Sequence, residues 1–67
     1  MAQGFLVVDP TGFTEDQMLE LKGRVKRHDG WEHPDGVRWM LPVEQPTWTK
    51  AALVSDGWPE ASIEIAR

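Results

Sequence analysis

The first apolar segment of the chain is continuous and shows no alternation. Every residue from Phe5 to Val8 is apolar, which predicts a strand from Gly4 to Asp9. A short continuous apolar run is typical of a strand that is covered on both faces. The sequence Asp9-Pro10-Thr11-Gly12 then predicts a turn, because proline favours its second position and glycine its fourth.

The next segment has the periodicity of an amphipathic helix. Its apolar residues recur at intervals of three and four, at Met18, Leu21 and Val25. Thr14 is followed three residues later by Gln17, which is the pattern of a capping box at a helix start. Gly30 suits the left-handed conformation in which many helices end. We therefore predict a helix from about Glu15 to His28.

The second half of the chain contains two alternating segments and one ambiguous segment. Residues 37–43 predict a half-buried strand whose inward face carries Val37, Trp39, Leu41 and Val43. Residues 61–66 predict a last strand, with Ile63 and Ile65 facing inward and Glu64 outward. Between them, Thr47–Ser55 combines helix-favouring Lys50–Leu53 with residues that favour strand. We interpret this segment as a strand.

These elements predict an α+β fold in a single domain, residues 1–67. The sheet would be small and mixed, with three or four strands in β-α-β-β-β order and one amphipathic helix on one face. A helical crossover predicts that the first two strands are parallel, and the remaining strands would form a meander. The second face would carry two of the side chains from Phe5 to Val8. Its cover would be Thr47–Ser55, the tryptophans or another protein, so we expect association with a partner.

The composition limits the class of protein. A chain of 67 residues buries a small core, and the absence of cysteine excludes disulfides and thiolate zinc sites. Self-association is one way to stabilise such a chain. The net charge of −4 argues against a nucleic-acid partner. No apolar run suits a membrane span and no signal-peptide pattern is present, so we expect a cytoplasmic or virion-associated protein.

The densest polar cluster lies between the predicted helix and the next strand. It contains His28, Asp29, Glu32, His33 and Asp35, and the best metal ligands among them are His28, Glu32 and His33. Their spacing matches no common metal motif. The chain also lacks a glycine-framed nucleophile and the glycine-lysine pattern of a phosphate-binding loop. We therefore expect no metal, no cofactor and no enzymatic activity.

Tryptophan is abundant, and the tripeptide Asp-Gly-Trp occurs twice, at residues 29–31 and 56–58. Trp39 falls on the inward face of a predicted strand and is expected in the core. The other three follow or adjoin turns, and two interpretations are open for them. They either close the ends of a small core or provide aromatic anchors for a partner, because tryptophan is enriched at binding hot spots. The predicted partner-binding residues are Trp31, Trp48 and Trp58.

The first half of the chain resembles small orphan proteins of bacteriophages that infect GC-rich hosts. The resemblance lies in Gly4-Phe5-Leu6-Val7-Val8 followed by Phe13-Thr14-Glu15-Asp16-Gln17. It is a pattern of elements and carries no functional residues. It implies a small phage virion component or an accessory protein that inhibits a host protein. The expected function is therefore a non-enzymatic protein-binding module, with a metal-binding module as the alternative.

Overall fold

A computed structural model describes residues 4–66 of the chain. These residues form an α+β fold, as predicted. In chain order its elements are β1 (Gly4–Val8), α1 (Glu15–Arg27), β2 (Trp31–Glu32), β3 (Trp39–Val43), α2 (Pro46–Ser55), a single 3-10 turn (Glu60–Ser62) and β4 (Ile63–Ala66). The predicted first and last strands, the first helix and the strand ending at Val43 are thus confirmed, whereas Val37 and Arg38 precede that strand.

The sheet formed by residues 4–66 has the order β2-β3-β1-β4, and every neighbouring pair is antiparallel. The predicted parallel pairing was therefore wrong, as was the meander of the last strands. The strand that follows α1 is the short β2, which runs in the same direction as β1 but does not neighbour it. A hairpin returns the chain as β3, which pairs with β1. The rule for helical crossovers had been applied to neighbouring parallel strands, and the chain does not form such a pair.

The segment Thr47–Ser55 is helical, so the prediction of a strand was wrong. Pro46 occupies the first turn of α2. Backbone N–H groups in this turn have no acceptor within the helix, so the N–H that proline lacks costs no hydrogen bond. Within α2, Leu53 is buried, whereas Trp48 lies on the solvent-exposed side of the helix. The helix preference of Lys50–Leu53 therefore agrees with the tertiary packing.

Both helices pack on the same face of the sheet. That face carries Leu6 and Val8 of β1, and the strand register places Leu41 and Ile63 beside them. The buried core consists of Leu6, Val8, Leu21, Val25, Leu41, Val43, Leu53, Trp58 and Ile63. Because α2 adds to the layer already formed by α1, the opposite face has no helix from residues 4–66 against it.

The ends of α1 are determined by local hydrogen bonds. The Thr14 hydroxyl accepts from the Gln17 N–H at 3.1 Å, and the Gln17 side chain accepts from the Thr14 N–H at 2.9 Å. The predicted capping box is confirmed. At the other end, the left-handed residue is Asp29, with φ of 55°, so the prediction for Gly30 was wrong. Gly30 is needed for another reason: a Cβ there would collide with the Met40 carbonyl oxygen.

Candidate functional site

The face of the sheet opposite the helices carries a second group of apolar side chains. The antiparallel register places Val7 opposite Met40 and Phe5 opposite Pro42, and it places Met40 opposite Trp31. We call this surface the open face: Phe5, Val7, Trp31, Met40 and Pro42. Val7 is only 8% exposed, yet it is not part of the cluster of buried side chains between the sheet and the helices. The open face therefore forms an apolar cluster of its own.

An aromatic pair on the open face joins the central strand β1 to the edge strand β2. The rings of Phe5 and Trp31 meet edge to face, with their centroids 5.7 Å apart. Trp31 is still 45% exposed, although it is one of the largest apolar side chains in the chain. The short strand β2 determines this arrangement, because its two residues point to opposite faces of the sheet. Trp31 consequently faces Phe5, while Glu32 lies on the helical side.

Charged residues continue the open face at one end. Extending the β1–β3 register by one residue puts Asp9 opposite Arg38, and we call these two residues the charged row. The Arg38 guanidinium donates to the Asp35 carboxylate at 2.6 Å. The Asp35 carboxylate also accepts from the N–H groups of Arg38 at 3.0 Å and Val37 at 2.8 Å. The loop thus holds Arg38 in place at the edge of the apolar cluster.

Hydrogen bonds keep these carboxylates ionised. The backbone N–H groups of Arg38 and Val37, followed by the Arg38 guanidinium, hold the pKa of Asp35 far below its usual range. The Thr11 hydroxyl donates to Asp9 at 2.6 Å and, with the Thr11 N–H, lowers the pKa of Asp9. The pKa of Arg38 is raised, mainly by Asp35. The charged row therefore presents fixed opposite charges side by side.

A separate cleft of about 590 Å³ lies beside Trp48, at one end of the sheet. Its walls include His28 and Asp29 from the end of α1 and Pro42 from β3. Trp48 is 68% exposed and forms the outer wall on α2. Pro42 thus borders both the cleft and the open face, but Trp48 itself lies on the helical side of the sheet.

The three tryptophans predicted to contact a partner have different environments. Trp31 and Trp48 are exposed, on opposite sides of the sheet. Trp58 is 2% exposed and packs edge to face with Phe13 at 5.1 Å, so its prediction as a surface anchor was wrong. For Trp58 the alternative interpretation, that it closes one end of the core, fits the structure.

The two Asp-Gly-Trp copies differ by one position relative to a helix end. After α2, Gly57 is the left-handed residue and the Trp58 N–H donates to the Leu53 carbonyl at 3.1 Å. Trp58 thus occupies the position whose side chain packs back onto the last helical turn. After α1, Asp29 is left-handed and Gly30 makes the equivalent bond, to Val25 at 2.7 Å. Trp31 comes one residue later and enters β2.

Phe5, Met40 and Pro42 are not among the partner-binding residues predicted from the sequence. Their common signal was present in the chain, because the residues between the inward-facing ones on both central strands are themselves largely apolar. A strand with one solvated face normally alternates apolar and polar residues. From the sequence, two of the side chains from Phe5 to Val8 were expected on the second face, with Thr47–Ser55, the tryptophans or another protein as its cover.

The candidate metal ligands do not assemble into a site. Among residues 4–66, no group of three or more histidine, cysteine or acidic side chains is arranged to hold a metal ion. The Nδ1 atom of His33 accepts from the Asp35 N–H at 3.1 Å, and its Nε2 atom lies 3.5 Å from the Arg38 guanidinium. A cation at Nε2 would be repelled by that charge. The alternative of a metal module on His28, Glu32 and His33 is therefore not supported.

Comparison with protein-family models, with curated proteins and with solved structures finds no match for this chain. Within residues 4–66, neither helix has the length and apolar character needed to cross a bilayer. What the chain does is therefore inferred from its own surface.

Proposed function

We propose that this chain is a non-enzymatic protein-binding module that contacts its partner through the open face. The observation that carries the proposal is the apolar cluster of Phe5, Trp31 and Met40 on a sheet face without a helical cover in residues 4–66. A sheet with apolar side chains on both faces is stable when a second layer covers each face. Here the chain supplies one layer, and a partner would supply the other.

The composition of the open face suits a protein partner. Tryptophan, phenylalanine and methionine are enriched in interfaces, and tryptophan is frequent among the residues that contribute most to binding. The apolar cluster is bordered by charged residues, Arg38 and Asp9, as the centre of an interface is bordered by a polar rim. The exposed ring of Trp31 would bury the largest additional area on contact.

The shape of the open face also favours a protein over a small substrate. Small ligands bind in concave sites that enclose most of their surface. The open face is one side of a four-stranded sheet, and the cleft beside Trp48 lies outside it except at Pro42. This geometry supports a binding function in preference to catalysis.

The resemblance to small bacteriophage proteins supports a place in a larger assembly, such as a virion. In such an assembly each copy would contribute its helical layer, and contacts through the open face would complete its packing. The same surface would serve the alternative role, inhibition of a host protein, by covering an apolar patch on that protein. Both roles require the open face to be buried in the complex.

Photo-crosslinking tests which surface contacts protein in the producing cell. A photoreactive phenylalanine analogue replaces Trp31 in one variant and Leu19 in a control variant. Leu19 is an exposed apolar residue of α1, on the far side of the molecule from the open face. We expect light to produce discrete covalent products of higher mass from position 31 and none from position 19.

The pattern of products decides the proposal. If position 19 gave the discrete products and position 31 gave none, the open face would not be the binding surface. A third variant with the analogue at Trp48 tests the cleft in the same way.

A further inference from the structure

We infer that the partner at the open face is a second copy of this chain. The two sheets stack face to face and are related by a twofold axis. This axis lies between the two sheets, parallel to the strands and midway between β1 and β3. The inference rests on the proposed function, since it names the partner of the same surface. It follows from a comparison of the two copies: under this rotation, each row of side chains on one open face meets the same row on the other.

The rotation reverses the order of the strands and keeps the rows at the same height. The order β2-β3-β1-β4 then lies over β4-β1-β3-β2, so that β3 of each copy covers β1 of the other. Stacked sheets pack about 10 Å apart with their strands within about 30° of each other. Each side chain of a central strand therefore meets its cross-strand neighbour from the second copy.

The apolar rows match under this rotation. Met40 and Val7 are opposite each other within one sheet, so Met40 of one copy faces Val7 of the second copy. Phe5 and Pro42 face each other in the same manner. Glu64 lies beside Val7 on β4, so it comes to lie over Trp31 of the second copy. There the indole N–H of Trp31 can donate to the Glu64 carboxylate.

The charged row selects this rotation over its alternative. With the axis parallel to the strands, Arg38 of each copy faces Asp9 of the second copy, which forms two pairs of opposite charge. With the axis perpendicular to the strands and centred on the row of Val7 and Met40, Arg38 would lie over Pro42 and Asp9 over Phe5 of the second copy. That arrangement would bury charges against apolar side chains, which is costly. The open face is therefore self-complementary in one orientation.

The small area of the sheet limits the affinity of the dimer. Two strands of five residues, one of four and one of two cover less than about 19 Å by 17 Å. This footprint is smaller than the roughly 800 Å² that each partner buries in a standard interface. We therefore expect a weak dimer, with a dissociation constant between about 10 µM and 1 mM.

Sedimentation equilibrium of the purified chain tests the dimer directly, over about 10 µM to 2 mM. We expect the mean mass to rise from the monomer value of 7.6 kDa toward twice that value. Met40→Glu places a charge in the middle apolar row and should keep the chain monomeric. Leu19→Glu adds the same charge on α1 and should dimerise like the unmodified chain. Circular dichroism confirms that both variants are folded.

Charge exchange tests the orientation. Arg38→Glu and Asp9→Lys should each weaken dimerisation, since each puts like charges opposite one another twice. An equimolar mixture of the two variants should form mixed dimers, because Glu at 38 then faces Lys at 9. If the mixture gained nothing, or if Met40→Glu dimerised as the unmodified chain does, the stacked dimer would be rejected.

Failure of the dimer differs from failure of the proposed function. A chain that stays monomeric up to about 2 mM has no dimer of the expected strength. If position 31 then still crosslinked to a different protein, the open face would remain a binding surface with another partner. If position 31 crosslinked to nothing, both ideas would be rejected.

Discussion

Asp35 does more for the hairpin between β2 and β3 than its place in a turn suggests. One carboxylate oxygen accepts two backbone N–H groups, and the other receives the Arg38 guanidinium. A neutral acid would lose the charge-assisted part of these bonds. The single residue thus closes the hairpin and orients the cation that borders the open face.

The low pKa of Asp35 predicts how stability depends on pH. Its pKa is lower in the folded chain than the value of about 3.9 in unfolded chains, so the unfolded state takes up the proton first. The stabilisation is fully present above about pH 5 and is lost as the pH falls below about 4 toward the folded-state pKa. Asp9, whose pKa is also lowered, contributes with the same sign.

Urea unfolding between pH 7 and pH 3 checks this expectation. Asp35→Asn should be less stable than the unmodified chain at pH 7, and the difference should shrink toward pH 3. Asp56→Asn removes the same charge from the turn after α2 and serves as the matched control. A constant difference between Asp35→Asn and the unmodified chain across this range would contradict the account.

At the scale of elements, two glycines near α1 have opposite roles. Gly23 lies inside α1, and an added Cβ would meet no atom within 4 Å. Gly30 follows the helix and passes so close to β3 that a Cβ would collide with the Met40 carbonyl oxygen. The first glycine is a cost to the helix, whereas the second is a requirement of the contact between the helix end and the hairpin.

Alanine substitution distinguishes these two roles. Gly23→Ala should stabilise the chain by about 0.5–1 kcal/mol, because alanine loses less backbone entropy in a helix. Gly30→Ala should destabilise it by about 1–3 kcal/mol, because the hairpin must shift to admit the methyl group. Denaturant unfolding monitored by circular dichroism measures both. Equal effects of the two substitutions would show that the approach of Gly30 to β3 is not tight.

Over the whole molecule, the two helices lie on one side and the open face on the other. This one-sided arrangement means that adjacent residues of β1 have different environments in a single copy. Leu6 is fully buried between the sheet and the helices, whereas Phe5 lies on the open face. The stability of the monomer therefore depends on the side chains of β1 that face the helices, and the complex would bury those on the open face.

Truncation of these neighbours tests the arrangement. Leu6→Ala should cost about 2–5 kcal/mol, as other buried leucines do. Phe5→Ala should cost less, about 1 kcal/mol, when measured on the dilute monomer, because the ring is only partly buried there and lies outside the core. Chemical unfolding at low protein concentration gives both values. A Phe5→Ala cost equal to that of Leu6→Ala would mean that the open face is covered within the monomer.

The amino-acid sequence by itself determined the features that depend on neighbouring residues. The capping box at Thr14, the apolar stripe of α1 and the inward residues of β3 and β4 follow from local hydrogen bonding and side-chain period. The continuous apolar run from Phe5 to Val8 also indicated that the second face of the sheet needs a cover. Each of these features involves residues that are close to one another in the sequence.

Only the tertiary structure decided which elements neighbour one another. It made Pro46–Ser55 a helix, where propensities were balanced and the burial of Leu53 against the sheet tipped them. It paired β3 with β1 in antiparallel fashion and placed both helices on one face. A shift of one position at the helix ends buried Trp58 and left Trp31 on the open face. Such choices depend on packing between distant segments, and the local pattern of residues does not encode that packing.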